Sequence, residues 1–460
     1  MDAEVIVVGA GIGGLTVAAL LAARGVDVCV LERESRVGGC LANFESFGYR
    51  FEPGYGLYSG WRPGEIHDQV FSQLPIEPPQ VHLLEPSYVV RLPDKSEVRI
   101  GGNSSEFEGA LRAVFPECAD EAVVFYRKLV LISDSPQSVA NNQEATEKHL
   151  EGTSLRFRKF IDLQLHTFTQ GGSAEVSLGE SAMTLTAPFR GMYSIRGGGS
   201  ALAEKLAESI KKSGGRIRLN TPVLRLHYDT TGHARGVDLL SGETATATKV
   251  IISNLTLWDT YGKLVGVNRT PNDVRAALKS MRSWGSYLIF AGLEEAVSLP
   301  ASHVLTLTAW ADEENYDPEH DQIMFAAAPG DDPRAPEGKR AATIHTFTDV
   351  DEWFTFHRDE TELEEHDQRM LEECWQRLHR VMPELGGDIE VVETLNPRGF
   401  YDSTRRKLGM VGGVTPTLGP PYFTSSTFLP NLRIISDTVA RGGVAGVTRA
   451  ALSLAQELTR

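Results

Sequence analysis

The chain begins with short apolar runs separated by glycines, a pattern that predicts a strand, a tight turn, a helix and a second strand. Residues 5–8 form a continuous β-branched and apolar run, which is typical of a parallel strand covered on both faces. Glycine-rich residues 9–14 follow, and the apolar stretch to residue 24 predicts a helix that ends before Gly25. Residues 26–31 predict the next strand, which ends at Glu32. This order of elements indicates an α/β fold with a parallel sheet.

The turn between the first strand and the helix has the glycine spacing that binds a dinucleotide pyrophosphate. Gly9, Gly11 and Gly14 stand in the order GxGxxG. The first permits the tight turn, the second lets the backbone approach a pyrophosphate, and the third lets helix and strand pack closely. The helix N-terminus offers free N–H groups to the phosphates. Glu32 follows Gly11 by 21 residues, near the spacing expected for an acid that accepts hydrogen bonds from ribose hydroxyls.

A similar strand, turn and helix are predicted at the other end of the chain. Residues 432–436 predict a buried strand, Asp437 follows it, and residues 441–447 are rich in glycine before a helix over about 447–458. An aspartate at a strand end can accept hydrogen bonds from a ribityl chain or bind a phosphate through water. A helix N-terminus stabilises a nearby negative charge. The alternative is an ordinary βα turn that closes the domain.

The residues after Glu32 indicate which dinucleotide is bound. The segment LERESRVGGCL carries the pair Gly38-Gly39 six residues beyond Glu32. It resembles the FAD-binding N-terminus of the glutathione-reductase-like flavoproteins, in which a second glycine pair again lets the chain pass close to the pyrophosphate. The resemblance implies FAD as the cofactor. Arg36 either adds a positive charge near the phosphates or is a solvated turn residue.

Further segments resemble the phytoene desaturase and carotenoid isomerase family of flavoproteins. They are the C-terminal glycine turn, KVIISNLTLWD, FGYRFEPGYGLYSG and GMYSIRGGGSALAEKLAESIKKSGGRIRLNTPVLRL. In the family, the strand that follows this last loop and helix contacts adenine through a valine, here Val223. The chain departs from the family pattern at Ser436 and Ala445, which replace Gly and Pro. Cys40 stands where amine oxidases of the superfamily usually carry Arg, which disfavours an amine oxidase.

The turns and the resemblance together imply a set of site residues. The expected cofactor-binding residues are Gly9, Gly11, Ile12, Gly13, Gly14, Glu32, Arg33, Arg36, Gly38, Gly39, Cys40, Gly54, Tyr55, Val223, Ser253, Asn254, Asp437, Gly443, Gly446 and Val447. No general base is identified by any motif. The candidates by position are Tyr55, Arg196, Tyr401 and Asp402, each of which lies in or beside a family-like segment and has a purely structural role as its alternative.

The expected fold class is α/β, with a discontinuous Rossmann-like FAD-binding domain and an inserted α+β substrate-binding or cap domain. We assign residues 1–80, 190–268 and 395–460 to the first domain and residues 81–189 and 269–394 to the second. A helix over 201–212 is predicted, with Ser200 as its N-cap and Gly214 as its stop. The glycines at 197–199 precede it without a βαβ unit or a downstream acid, so we expect one FAD and no dedicated NAD(P)H site.

Composition and charge exclude several other classes. Lys and Arg number 45 against 61 Asp and Glu, a net charge of −16, which disfavours nucleic acid and anionic lipid as main partners. The four cysteines are far apart without a CxxC pair, so we expect no disulfide scaffold and no metal site, and a cytoplasmic location. One exception is the stretch LRFRKFIDLQLHTF, a basic amphipathic helix that either touches a membrane surface or lies in the cap-domain core.

These features predict an FAD-dependent oxidoreductase that desaturates or saturates C–C bonds of a hydrophobic isoprenoid, polyene or polyketide-like substrate. Its electrons would come from or go to an external partner, namely oxygen, a quinone or a reductase. A redox-neutral cis–trans isomerase that uses reduced FAD is one alternative, and an oxidase of amines or amino acids is another. A non-catalytic prenyl-binding escort protein of the same fold is disfavoured because both halves of the flavin site look intact.

Overall fold

The computed structural model describes residues 2–310, 316–355, 359–419 and 421–460. The strands, in chain order, are β1 Asp2–Val8, β2 Val28–Leu31, β3 Phe44–Ser46, β4 Tyr49–Phe51, β5 Val81–Leu84, β6 Tyr88–Arg91, β7 Glu97–Ile100, β8 Met192–Ile195, β9 Arg216–Arg218, β10 Val223–Tyr228, β11 Ala234–Leu239, β12 Thr244–Ser253, β13 Gly285–Glu294, β14 His303–Leu307, β15 Gln322–Ala327, β16 Lys339–Thr348, β17 Ile389–Leu395 and β18 Leu432–Ile434.

The helices complete the architecture. They are α1 Ile12–Ala23, α2 Ile66–Phe71, α3 Ser104–Val114, α4 Ala119–Ser133, α5 Pro136–Asn141, α6 Leu155–Thr169, α7 Leu178–Thr186, α8 Gly199–Lys212, α9 Leu257–Asp259, α10 Asn272–Ser280, α11 Val350–Thr355, α12 Glu360–Val381, α13 Pro397–Thr404 and α14 Gly443–Leu458.

The first sheet carries the predicted glycine turns. Its order is β10-β11-β12-β1-β2-β9, and β18 pairs with the carboxyl end of β12. Strands β9, β2, β1, β12 and β18 run parallel, whereas β10, β11 and β12 form an antiparallel meander. Helices α1, α8 and α14 pack together on one face of this sheet around an apolar core. Both faces of β1 are therefore buried, as its continuous apolar run predicts.

The second sheet lies between helices α11 and α12 on one face and strands β3 and β4 on the other. Its order is β17-β13-β16-β15-β14-β6-β7. One face, with Tyr287 and Ile344, packs against Trp353 of α11 and Leu378 of α12. The opposite face turns toward β3 and β4, where Phe290 stacks on Phe51 with ring centroids 5.0 Å apart. This alternation along each strand is what a two-sided sheet requires.

Helices α3 to α7 form a lobe beside the second sheet, and α6 lies in its core. Phe157, Phe160, Ile161 and Leu165 of α6 are all fully buried. Arg156, off the apolar stripe, forms an ion pair with Asp94 at 2.7 Å. The apolar stripe therefore faces the protein interior, and the membrane alternative for this helix is wrong. Within the described ranges, no helix is long and apolar enough to cross a bilayer.

The strands divide between the sheets in the way that the predicted boundaries require. Every strand of the first sheet falls within residues 1–80, 190–268 or 395–460, and every strand of the second falls within 81–189 or 269–394, except that β17 ends one residue later, at Leu395. The domain boundaries themselves stay a prediction. One local expectation is wrong, because Gly198 and not Ser200 is the N-cap of α8. The hydroxyl of Ser200 instead accepts a hydrogen bond from the Asn43 N–H at 2.8 Å.

Candidate functional site

A cavity of about 990 Å³ lies at the carboxyl ends of β1 and β2 and extends to the second sheet and the helical lobe. This is the edge of a parallel sheet where α/β proteins bind ligands. Most of the expected cofactor-binding residues line it, namely Gly9, Gly11, Ile12, Gly13, Glu32, Arg33, Arg36, Gly38, Gly39, Cys40, Gly54, Tyr55, Val223, Asn254, Asp437, Gly443 and Val447. Gly14, Ser253 and Gly446 lie behind the wall, where they pack the turns rather than face the cavity.

The first glycine turn holds its shape through Glu32. Gly9 has a φ of +97°, a conformation that favours glycine. The carboxylate of Glu32 accepts hydrogen bonds from the N–H groups of Ala10 at 2.6 Å and of Glu34 at 2.8 Å. Among the described residues, no side chain caps the N-terminus of α1. The free N–H groups of its first turn therefore face the cavity and are available to an anion.

The second glycine pair lies directly against the first turn. Gly38 donates a hydrogen bond to the carbonyl of Ala10 at 2.8 Å. A Cβ placed on Gly39 would be 3.2 Å from the Cα of Gly11, so the two backbones touch where the pyrophosphate is expected. Arg36 is exposed at this edge and donates to the carbonyl of Asn43 at 2.6 Å.

The C-terminal turn meets the N-terminal turn across a crowded contact. A Cβ on Gly13 would lie 2.7 Å from the Cγ1 of Val447 and 2.7 Å from the Cγ2 of Ile435. The side chain of Asn254, which follows β12, donates to the Ile435 carbonyl and so joins the two strand ends. Helix α14 begins at Gly443, four residues earlier than predicted, and no described side chain caps it. The N-termini of α1 and α14 therefore open into one cavity.

This arrangement fits a dinucleotide that places negative charge at each of the two helix N-termini. The residues that would hold it are the free N–H groups of both helices, the touching glycine backbones and the acid at the end of β2. In bound FAD the pyrophosphate would meet the first of these N-termini and the flavin the second.

A third glycine turn, at residues 197–199, is filled by the protein itself. Glu52 accepts hydrogen bonds from the Gly199 N–H at 2.9 Å and from Arg334 at 2.8 Å, and also from the hydroxyl of Tyr58. Asp332 accepts from the Gly197 N–H at 3.1 Å. The N-terminus of α8 therefore binds buried carboxylates of its own chain, which leaves it closed to a phosphate.

Arg406 is a site residue that the sequence motifs missed. It lies in the segment after α13, lines the cavity, and pairs with Asp437 at 3.0 Å. The carbonyl of Met410 accepts a further hydrogen bond from its guanidinium at 2.8 Å. Burial raises the pKa of the neighbouring Cys40 thiol, although the charge of Arg406 opposes this shift. No glycine pattern or spacing marks Arg406, so only the folded chain identifies it.

The candidate catalytic residues separate into two groups. Tyr55 lines the cavity, and burial raises its pKa. The other three lie outside the cavity wall as the structure describes it. Arg196 pairs with Asp331 at 2.9 Å, and Asp402 pairs with Arg405 at 2.7 Å on the surface. The ring of Tyr401 lies under that same arginine.

A wall residue that the sequence did not mark is His345 of β16. It is 5% exposed, and its ring centroid is 4.7 Å from that of Tyr55. Burial lowers its pKa to about 3, so the imidazole is neutral at physiological pH. Together with Phe168, Phe347, Leu395 and Phe400, it makes the part of the cavity beyond the glycine turns mostly apolar and aromatic.

The fold and the cavity define a dinucleotide-binding α/β enzyme of the flavoprotein kind. Residues 12–458 match the family of flavin-containing amine oxidoreductases, and the chain belongs to this family. Membership confirms the predictions of FAD as cofactor and of a Rossmann-like flavoprotein fold with a second, inserted part. The protein is an FAD-dependent enzyme.

The similar proteins include carotenoid- and retinoid-related enzymes. The chloroplastic prolycopene isomerase of Arabidopsis thaliana is 27% identical and covers 95% of this chain and 79% of its own length. The all-trans-retinol 13,14-reductase of Homo sapiens is 24% identical and covers 98% of this chain and 84% of its own length. These relatives agree with the resemblance found in the sequence.

Solved structures show the same fold. An oxidoreductase from Methanosarcina mazei is 18% identical, with a TM-score of 0.73 and coverage of 99% of this chain and 100% of its own. A putrescine oxidase bound to putrescine is 15% identical, with a TM-score of 0.64 and coverage of 100% and 99%. At these identities the likeness concerns the fold alone.

Proposed function

We propose that this protein catalyses FAD-dependent desaturation or saturation of C–C bonds in an uncharged, hydrophobic polyene or isoprenoid substrate. FAD supplies hydride transfer through its N5 atom when bound. The electron acceptor or donor is external to the chain, with oxygen, a quinone or a reductase as the candidates. The filled N-terminus of α8 supports the absence of a dedicated NAD(P)H site at that turn.

The observation that carries this proposal is the pairing of the carboxylates in the cavity wall. An amine substrate is a cation at neutral pH, and a carboxylate without a partner would be the counter-charge that it requires in a buried site. Among the described residues, each wall carboxylate already has a partner: Glu32 binds backbone N–H groups, and the pairs Arg33–Glu34, Arg441–Glu180, Lys263–Asp259 and Arg406–Asp437 account for the others. Apolar side chains cover most of the remaining inner surface.

The residues of the chain contribute orientation and exclusion of water. Phe168 on α6 and Phe347 on β16 both line the cavity and would contact a flat conjugated chain. Orientation of a reacting carbon against a cofactor supplies a large part of the acceleration in such reactions. The helix N-terminus at Gly443 faces the cavity, where it stabilises negative charge.

A redox-neutral cis–trans isomerase is the second candidate. The same apolar cavity would bind its substrate, and the relative from Arabidopsis thaliana carries the name prolycopene isomerase. Such an enzyme would require reduced cofactor but no net acceptor. Consumption of acceptor per molecule of product therefore separates the two candidates.

The test uses the purified holoenzyme under anaerobic conditions. Candidate polyenes and isoprenoids are added while the flavin absorbance is followed, and the products are separated by chromatography. Bleaching with formation of a desaturated product, or reoxidation of pre-reduced enzyme with a saturated one, supports the proposal. Isomerised product from pre-reduced enzyme without reoxidation supports the second candidate. If amines bleach the flavin and every lipid-like compound leaves it unchanged, the proposal is wrong.

A further inference from the structure

Two side chains in the apolar part of the cavity carry polar atoms that the rest of the chain leaves free. The hydroxyl of Tyr55 has no hydrogen-bond partner in the part of the chain that the structure describes. Nε2 of His345 also has no partner there, and this residue is only 5% exposed. A buried polar atom such as Nε2 of His345 is usually paired in proteins, and an unpaired one calls for an explanation such as a ligand. Tyr55 is partly buried and lines the same cavity.

The segment that carries Tyr55 is held rigidly from the second sheet. His345 contacts the backbone of Gly54, and His303 of β14 contacts the backbone of Tyr55. Glu52 and Tyr58, joined by a hydrogen bond, close the ends of the same segment. Because the two histidines hold the backbone at residues 54 and 55 and the Glu52–Tyr58 pair holds both ends of the segment, the phenol ring has a defined position.

The two side chains are close to each other and uncharged. Their ring centroids lie 4.7 Å apart, and the edge of the Tyr55 ring packs on Phe168 at 6.2 Å. Burial raises the pKa of Tyr55 and lowers that of His345 to about 3. His303, itself neutral by burial, is the titratable side chain that acts on His345. The pair thus offers one hydroxyl donor and one neutral imidazole, without a net charge.

We propose that Tyr55 and His345 bind an uncharged hydroxyl group on an otherwise apolar substrate. The inference rests on the proposed function and specifies its substrate further. A pure hydrocarbon would leave both polar groups unpaired, which costs binding energy. An ammonium group would meet a neutral pair with no carboxylate to balance its charge. A polyene or isoprenoid alcohol satisfies the pair, because its hydroxyl accepts from the Tyr55 phenol and donates to Nε2 of His345.

The same geometry assigns Tyr55 to the substrate rather than to the cofactor. It lies beyond the glycine turns, against Phe168 of the helical lobe and His345 of the second sheet. The groups expected to hold the dinucleotide come from the first sheet and its turns. Loss of the Tyr55 hydroxyl is therefore expected to leave the bound flavin in place.

The experiment compares two ligands that differ only in the polar group. All-trans-retinol and the hydrocarbon with a methyl group in place of its hydroxymethyl group are titrated into oxidised, anaerobic holoenzyme, and quenching of protein fluorescence gives each Kd. Wild type is compared with Tyr55→Phe and His345→Asn. Tyr228→Phe, on β10 and outside the cavity wall, is the matched control. Flavin content and thermal unfolding are recorded for every variant.

We expect Tyr55→Phe to weaken binding of the alcohol about fivefold, the effect of one hydrogen bond, and to leave the Kd of the hydrocarbon unchanged. His345→Asn should act in the same direction, and Tyr228→Phe should change neither Kd. Equal changes for both ligands, no change for either, or loss of flavin from Tyr55→Phe would overturn this inference while the proposed function stands. If wild type binds neither ligand, the proposed function itself is wrong.

Discussion

Arg406 and Asp437 face each other across the mouth of the C-terminal glycine turn, with Nη2 of the arginine 3.0 Å from Oδ2 of the aspartate. The pair joins the segment after α13 to the end of β18. The arginine side chain is 13% exposed and that of the aspartate 22%. Asp437 stands where the sequence predicts a contact with the cofactor, so the charge of Arg406 decides whether this carboxylate tolerates an anionic ligand beside it.

Replacing Arg406 with alanine is expected to weaken FAD binding. The variant leaves a partly buried carboxylate without its counter-ion, next to a cofactor that carries a pyrophosphate. We expect a loss of about 2 kcal/mol, or roughly 30-fold in the Kd of FAD. Titration of apo-protein with FAD, followed by flavin fluorescence, measures it. Arg235→Ala removes an exposed ion pair with Asp229 and should leave the Kd unchanged. An unchanged Kd for Arg406→Ala would contradict the expected role.

A methyl group on Gly13 is expected to separate the two glycine turns. Its Cβ would meet Val447 and Ile435, each at 2.7 Å, and both side chains are β-branched and cannot swing away. Overpacking of this kind costs about 2 kcal/mol. We expect Gly13→Ala to be purified with much less FAD and to unfold at lower temperature than wild type.

Gly25→Ala is the matched control for this prediction. Gly25 ends α1 with a φ of +82°, and among the described residues nothing lies within 4 Å of a Cβ placed there. The alanine therefore costs about 1 kcal/mol of backbone strain without touching the cavity. If Gly25→Ala loses as much flavin as Gly13→Ala, general destabilisation and not the contact between the turns is responsible.

The glycine turns were predictable because they are local. The run before Gly9, the spacing to Gly14 and the position of Glu32 depend on a few neighbouring residues, and the structure places all three as expected. Helix α6 was ambiguous for the opposite reason. A basic amphipathic helix can bind a membrane surface or lie in a protein core. Only the burial of Phe157 and Phe160 inside the lobe shows that this helix lies in the core.

Residues that meet only after folding could not be predicted. Arg406 reaches Asp437 across 31 positions, and Glu52 reaches Arg334 across 282. No repeat or spacing relates such partners. The same is true of His345, which resembles any other histidine in a strand until Tyr55 is placed against it. The third glycine turn gave no sign that a carboxylate of the chain fills it.

The buried pair of Glu52 and Arg334 gives a prediction about stability. The two side chains are 5% and 7% exposed and join the N-terminus of α8 to the loop between β15 and β16 of the second sheet. Glu52→Gln leaves the guanidinium with Asp332 as its remaining charged partner, which we expect to cost about 3 kcal/mol. Urea unfolding measures this change.

The double variant Glu52→Gln with Arg334→Met tests whether the cost comes from the unpaired charge. Replacing both partners of a buried pair is much less harmful than replacing one. The two single changes should therefore add to more than the double change, with a coupling of about 2 kcal/mol. Additive losses would mean that Glu52 stabilises the chain only through the Gly199 N–H and the Tyr58 hydroxyl.

The buried histidines predict a loss of stability in weak acid. Burial lowers the pKa of His303 to about 3, from 6.5. A depressed histidine pKa means that the unfolded chain binds the proton first, so its stabilisation is complete above pH 6.5 and falls as pH decreases toward 3. Between pH 7 and pH 5, His303 alone accounts for a loss of about 2 kcal/mol. His67 and His345, whose pKa values burial also lowers to about 3, act in the same direction.

His303→Gln separates proton uptake from packing. Any cost of repacking is present at both pH values, whereas the proton-linked loss disappears with the imidazole. Urea unfolding of wild type and variant at pH 7 and pH 5 gives the four free energies needed. We expect the drop between the two pH values to be smaller in the variant by about 2 kcal/mol. If the free energy of unfolding falls equally in wild type and variant, His303 takes up its proton in the folded protein as readily as in the unfolded chain. The wall that holds Tyr55 would then not be neutral at pH 5.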